Sequence, residues 1–267
     1  MAFTTRKSSI IASLLVVGLT GCSMQGNNYG LMQNRVSDSS AQVADQPLTA
    51  SQKVQLMIKA QNYPGLIKFY KQTLEHSDSR SVRLKLAKTY YQSGDVDSAL
   101  FQLKILKQHY KPDAQVHYLM AQCLYQKGKM TDALTEVNTA ITLNPKQAKS
   151  YNLQGIIDAG LNDFVSARKA FNKARALMYK DSIVLNNLAM IDIYQHKYSD
   201  AVNLLLPLYN NGQADKKIRS NLLIALAKTH QESLFKQVYA DGDSDQANMV
   251  YHQLENSKHG IHARSTP

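Results

Sequence analysis

Residues 120–133 read MAQCLYQKGKMTDA, with an apolar and a small residue at Met120 and Ala121, a glycine at Gly128, an apolar Met130 just past it, and a second small residue at Ala133. The same order of side-chain types returns 34 residues upstream, as Leu86, Ala87, Gly94, Val96 and Ala99. It returns downstream as Gln154, Gly155, Asn162, Phe164 and Ala167, and again as Leu188, Ala189, His196, Tyr198 and Ala201, with Gln154 the exception to the apolar rule. Two series of small residues in fixed phase are what two antiparallel helices need where their backbones come closest. Gly and Asn between them suit the left-handed backbone of a helix end, and His196 suits it less well. Leu103, Val137, Phe171 and Leu205 supply one core-facing residue to each second helix.

A period of 34 is that of the tetratricopeptide repeat, a helix-turn-helix unit that stacks on its neighbours. The expected fold is therefore all-α, a superhelical solenoid of antiparallel helix pairs, with clear units at 80–113, 114–147, 148–181 and 182–215. Ser79, Asp113, Asp181 and Asp215 stand where each first helix should begin, as candidate N-caps. Upstream, Met57, Tyr63, Leu66, Tyr70 and Leu74 give a degenerate unit one residue short of the period, with Pro64 tolerable only in the first turn of its second helix. Downstream, Leu222 and Leu223 keep the phase, but Phe235 occupies the small-residue position, so the last helices must pack differently. Ala247, Val250, Tyr251 and Leu254 suggest one more helix laid over that end. The repeat domain is expected over residues 47–256, with about four clear and two degenerate repeats and a capping helix, followed by a disordered tail over 257–267.

The amino terminus reads as a processing signal. Arg6 and Lys7 precede an apolar run from Ile10 to Leu19, too short to span a bilayer but suited to a signal h-region. It ends in Leu19-Thr20-Gly21-Cys22, which resembles the lipobox of bacterial lipoproteins. That resemblance implies a signal peptide over 1–21, a lipid on Cys22, and, because Ser23 rather than Asp follows, passage to the outer membrane of a Gram-negative bacterium. Residues 22–46 are rich in Ser, Asn, Gln and Gly and read as a flexible tether holding the domain in the periplasm.

The chain carries 31 basic and 20 acidic residues, a formal charge of +11. The lysines scatter along helices, which favours solvated faces or attraction to acidic partners over nucleic-acid binding. With Cys22 lipidated, Cys123 is alone, and its place in a first helix reads as a small buried apolar residue. The chain has no glycine-rich phosphate loop, no His-Glu-x-x-His helix, no paired-cysteine metal motif and no nucleophile elbow. His252, His259 and His262 are neighbours in a polar setting, and Asp158 and Asp192 occupy equivalent positions that an enzyme would need to bring together. The expectation is a chain without enzymatic activity, catalytic residues, cofactor or metal.

A solenoid of this kind offers a concave groove lined by its first helices. The fifth, ninth and twelfth positions of each unit place Leu84, Lys88 and Tyr91, then Tyr118, Gln122 and Tyr125, then Asn152, Ile156 and Ala159, and finally Asn186, Met190 and Ile193 on that face. Tyrosines combine apolar area with a polar tip, and amides bond an extended backbone as donor and acceptor. Asn187 joins the set, because adjacent amides have little helix propensity to recommend them. The candidate groove is thus Lys88, Tyr91, Tyr118, Gln122, Tyr125, Asn152, Ile156, Asn186, Asn187 and Met190, and replacing Asn186 and Asn187 by Ala is expected to leave the helical melt almost unchanged.

With the lipobox, tether and repeats, the segments Asn186-Asn187-Leu188-Ala189, Asn221-Leu222-Leu223 and Asn248-Met249-Val250-Tyr251 resemble TadD, the tetratricopeptide-repeat lipoprotein family of tight-adherence (Flp) pilus systems. Phe235, and His230 at a glycine-like turn, depart from the pattern. The resemblance implies a pilotin-like role in pilus assembly, with the groove binding a segment of the outer-membrane secretin or of another pilus component. Two alternatives stand beside it: a periplasmic adaptor for peptidoglycan enzymes using the same groove, and an enzyme using Asp158 and Asp192.

Overall fold

The structure is a computed structural model that describes residues 47–239 and 244–257. The expected signal peptide, Cys22, the tether, and tail residues 258–267 lie outside the described residues. Thirteen helices and no strand are found among the described residues: α1 (Ala50–Lys59), α2 (Tyr63–His76), α3 (Arg80–Gln92), α4 (Val96–His109), α5 (Ala114–Gln126), α6 (Met130–Leu143), α7 (Ala148–Gly160), α8 (Phe164–Ala176), α9 (Asp181–Tyr194), α10 (Tyr198–Asn210), α11 (Lys216–Lys228), α12 (Glu232–Tyr239) and α13 (Ser244–Asn256). Each odd-numbered helix up to α11 packs on the even-numbered helix that follows it, and each pair packs on the next. This is an all-α tetratricopeptide-repeat solenoid.

Its corners are set by local geometry. Gly94, Gly128, Asn162, His196 and His230 all adopt left-handed backbone, with φ of 86°, 72°, 63°, 58° and 57°. At each, the next residue's N–H reaches back to a carbonyl inside the preceding helix, as Asp95 does to Tyr90, Lys129 to Leu124, Asp163 to Asp158, Lys197 to Asp192 and Gln231 to Leu226. The 34-residue phase therefore fixes a Schellman-type helix end five times over, even where the residue is histidine.

The crossings follow the small-residue series. Ala87, Ala99, Ala121, Ala133, Ala167, Ala189 and Ala201 are all fully buried. Gly155 shows why size matters there, since a Cβ on it would sit 2.7 Å from the Phe171 ring. Phe171 fills the position that Leu103, Val137 and Leu205 hold elsewhere, so the unit with the largest core side chain is the one with the smallest crossing residue.

The caps are only partly as expected. Asp113 accepts from the N–H groups of Gln115 and Val116, and Asp215 from those of Lys217 and Ile218. Ser79 makes no cap bond, and Asp181 lies inside α9, where it pairs with Arg175 at 2.9 Å. Asp95 and Asp163 instead cap the second helices α4 and α8. The terminal pair departs as the phase break at Phe235 requires. Helix α12 has only eight residues, and Phe235 is fully buried with its ring against those of Tyr239 and Tyr251, the latter edge-on at 5.2 Å. Helix α13 lies over α11 and α12, and Lys228 donates to the carbonyls of Glu255 and of Ser257, the first residue of the expected tail.

Candidate functional site

The first helices α3, α5, α7, α9 and α11 touch one another in succession, whereas among the described residues no second helix touches another second helix. Elements that meet along one edge of a stack and separate along the other define its inner side, so the first helices line the concave face. The face has two chemically different halves.

In the first half, from α3 to the start of α7, Tyr91, Tyr118, Gln122 and Tyr125 are half-buried and Lys88 is exposed. The Lys149 ammonium lies 4.4 Å from the centre of the Tyr118 ring, a cation–π contact. Burial, and then the ammonium of Lys88, lower the Lys149 pKa. Burial and the neighbouring phenols of Tyr179 and Tyr91 hold the Tyr118 phenol well above its ordinary value. Helices α3 and α5 contain no acidic residue. Arg80 pairs with Asp113 and Arg83 with Asp78, whereas Lys88 and Lys149 enter no ion pair among the described residues.

The second half, from α7 to α11, is closed by amides. Asn187 Nδ2 donates to Asn152 Oδ1 at 3.0 Å, and Asn221 Nδ2 donates to Asn186 Oδ1 at 2.8 Å. Asn152 is buried, and so is Ile193, which belongs to the core with Ala189 and Leu205 rather than to an open groove. Ile156 and Met190 are half-buried against the cores beside them. The expectation that Asn186 and Asn187 are idle in the fold is corrected: each stitches its helix to a neighbouring repeat.

Lys149 and Tyr179 are missed by sampling only three positions of each unit. Lys149 lies on the same helix face as Asn152 and Ile156, so extending the series one turn toward the N-terminus finds it. The aspartates proposed for the enzyme alternative are both buried. Asp192 is buried and paired with Arg168, which also bonds Gln195. Asp158 is buried separately, and burial with the nearby Asp163 pushes its carboxyl up to about 6. The Cys123 thiol is buried and pushed up to about 12, which makes it an inert core residue.

Fold and face together define a tetratricopeptide-repeat scaffold. A family model described as "Anaphase-promoting complex, cyclosome, subunit 3" matches residues 59–140. An "Uncharacterized protein" of Haemophilus influenzae is 29% identical over 102 residues, covering 38% of this chain, which spans 57% of that relative's length. Among solved structures, a tetratricopeptide repeat protein from Parabacteroides merdae superposes with a TM-score of 0.61 at 12% identity, covering 76% of this chain and 83% of its own. The Pseudomonas aeruginosa pilF structure superposes with a TM-score of 0.57 at 16% identity, covering 66% and 82%. At these identities the likeness is one of fold.

Proposed function

We propose that this chain is a lipid-anchored scaffold of the outer membrane, facing the periplasm, that binds a protein segment along its inner face and assists assembly or localisation of the secretin or another component of a Flp/Tad-type pilus. The observation that carries the binding role is the first half of the inner face. There Tyr91, Tyr118 and Gln122 lie side by side on successive helices with Lys88 and Lys149, in a form that rigid aromatic anchors and adaptable amides give to peptide-binding surfaces. The lipobox at residues 19–22 and the TadD-like segments support the anchor and the pilus context. Binding, not catalysis, is the activity, and no cofactor beyond the lipid on Cys22 belongs to it.

The test is a photo-crosslinking side chain at position 122 in the native organism, with the captured protein identified by mass spectrometry. A secretin or another pilus component is the expected product. Capture of peptidoglycan enzymes would replace the pilus role with the envelope-adaptor role, and no capture would remove the groove itself. Replacing Cys22 by Ser should release the protein from the outer-membrane fraction, and retention there would end the anchoring proposal.

A further inference from the structure

The positive charge of the chain is not spread evenly. Residues 47–150 carry 15 Lys and Arg against 7 Asp and Glu, whereas residues 151–257 carry 11 of each. The excess therefore belongs to the end of the stack that begins with α1 and α2. There Lys53, Lys59, Lys68 and Lys71 stand with Glu75 as the one acid in residues 47–77. All four lysines are exposed and enter no ion pair among the described residues. Helix α1 has no buried residue and, among the described residues, touches α2 alone. Its Val54 and Met57 turn toward the core of Leu66 and Tyr70, which leaves Leu56 on the outer side, 52% exposed. Lys53 and Lys59 lie three residues either side of Leu56 and share its face. Leu48 and Ile58 are exposed as well. An end unit that served solubility alone would be polar here. On α2, Pro64, Lys68 and Lys71 form an outward stripe, and with Ile67, Glu75 and Ser93 they line an open groove of about 650 Å³.

We propose that the α1–α2 end of the solenoid lies on the anionic headgroup layer of the membrane that holds the lipid anchor. This rests on the reading of Cys22 as the lipid-bearing residue. Each lysine gains from the negative potential of such a surface, and Leu56 enters the boundary between headgroups and acyl chains. Lys68 and Lys71 give the groove beside α2 two donors for a lipid phosphate, next to the apolar Pro64 and Ile67. Connectivity favours a lipid surface over an acidic protein. Residue 47 follows Cys22 by 25 residues, which reach about 90 Å at most when fully extended. The basic, leucine-bearing end is thus the one that the anchor keeps beside the bilayer, and residues 151–257, with balanced charge, make up the other end.

The test uses residues 22–267 with Cys22→Ser, so that no lipid contributes, and with Leu56→Trp as reporter, since the chain has no tryptophan. Vesicles of phosphatidylethanolamine with phosphatidylglycerol, three to one, should bind the protein and shift the emission at position 56 to the blue. Vesicles of phosphatidylcholine, or high salt, should abolish both. Replacing Lys53, Lys59, Lys68 and Lys71 by Gln should weaken vesicle binding about a hundredfold. Replacing Lys169, Lys173, Lys216 and Lys217 by Gln removes the same charge from the other end and should change binding by less than about twofold. Both variants should keep the helical melt unchanged. Equal losses from the two sets would overturn the proposal in favour of attraction by total charge. Binding without a blue shift would overturn it by placing the contact on another face. No binding would overturn the contact and leave the anchor standing, because fractionation of Cys22→Ser after a high-salt wash reads the anchor separately.

Discussion

The two halves of the inner face are built on the same repeat and treat polar side chains in opposite ways. From α7 to α11 the amides pair with each other and two of the three first-helix acids are buried, so polarity is turned inward to fix one repeat on the next. From α3 to the start of α7 the inner face keeps Lys88 exposed and its phenols half-buried, and the repeats are joined by apolar packing and by pairs such as Lys107 with Glu136 and Lys127 with Asp97 rather than by paired first-helix amides. A regular solenoid thus changes how its inner face uses polar side chains by changing a few residues at matched positions.

The largest effect expected from this contrast concerns charge. Arg168→Met keeps the aliphatic stem but strips the partner from Asp192, whose side chain is only 3% exposed. Leaving that carboxylate buried and unpaired should cost about 3–5 kcal/mol in chemical denaturation. Lys88→Met, made on the exposed cation of the other half, should change stability by less than about 0.5 kcal/mol. Equal losses would mean that the two halves do not differ in how they use charge.

Asp158 gives a pH-dependent version. Its carboxyl is raised to about 6 by burial, against an ordinary value of 3.8. Between these values the native state binds more protons than the unfolded chain, so stability falls as pH rises through this window. Above it the full penalty applies, and below pH 4 it is absent. Asp158→Asn should therefore raise stability at pH 7 by about 2–3 kcal/mol and leave it unchanged near pH 3.5. A gain of the same size at both pH values would point to packing rather than ionisation.

Breaking the amide pairing comes next. Asn152→Ala leaves Asn187 without its bond and should cost about 1–2 kcal/mol, and the double-mutant cycle with Asn187→Ala should return a coupling of about 1 kcal/mol. The same cycle on Asn186 and Asn221 should behave alike, and strict additivity would show that the amides do not act as staples.

What the sequence reveals about these halves depends on the range of the interaction. Corners at Gly94, Gly128, Asn162, His196 and His230, and the crossings at the small residues, are settled within one helix pair, so the period exposes them. The N-cap at Asp181 fails because α9 starts one residue early and Arg175 takes its carboxylate, while Ser79 stands at the cap position of α3 without a cap bond, for which the structure gives no reason. The amide pairs join residues 35 apart, one position off the repeat, so alignment by equivalent columns hides them. Their presence as a doublet at Asn186 and Asn187 is the visible trace: one side chain faces the repeat before and the other the repeat after.

The smallest effect is the most discriminating. Gln122 lies on the same face as Asn152, but among the described residues no hydrogen bond joins it to a neighbouring repeat. Gln122→Ala should therefore change stability by less than about 0.5 kcal/mol while weakening binding of a partner segment to the inner face. If Gln122→Ala instead costs as much stability as Asn152→Ala, the first half is stitched like the second, and its open polar surface is part of the fold. If it costs nothing in stability and nothing in binding, the ligand path runs over the lysines and tyrosines without using the amide, and the groove is narrower than the first-helix register implies.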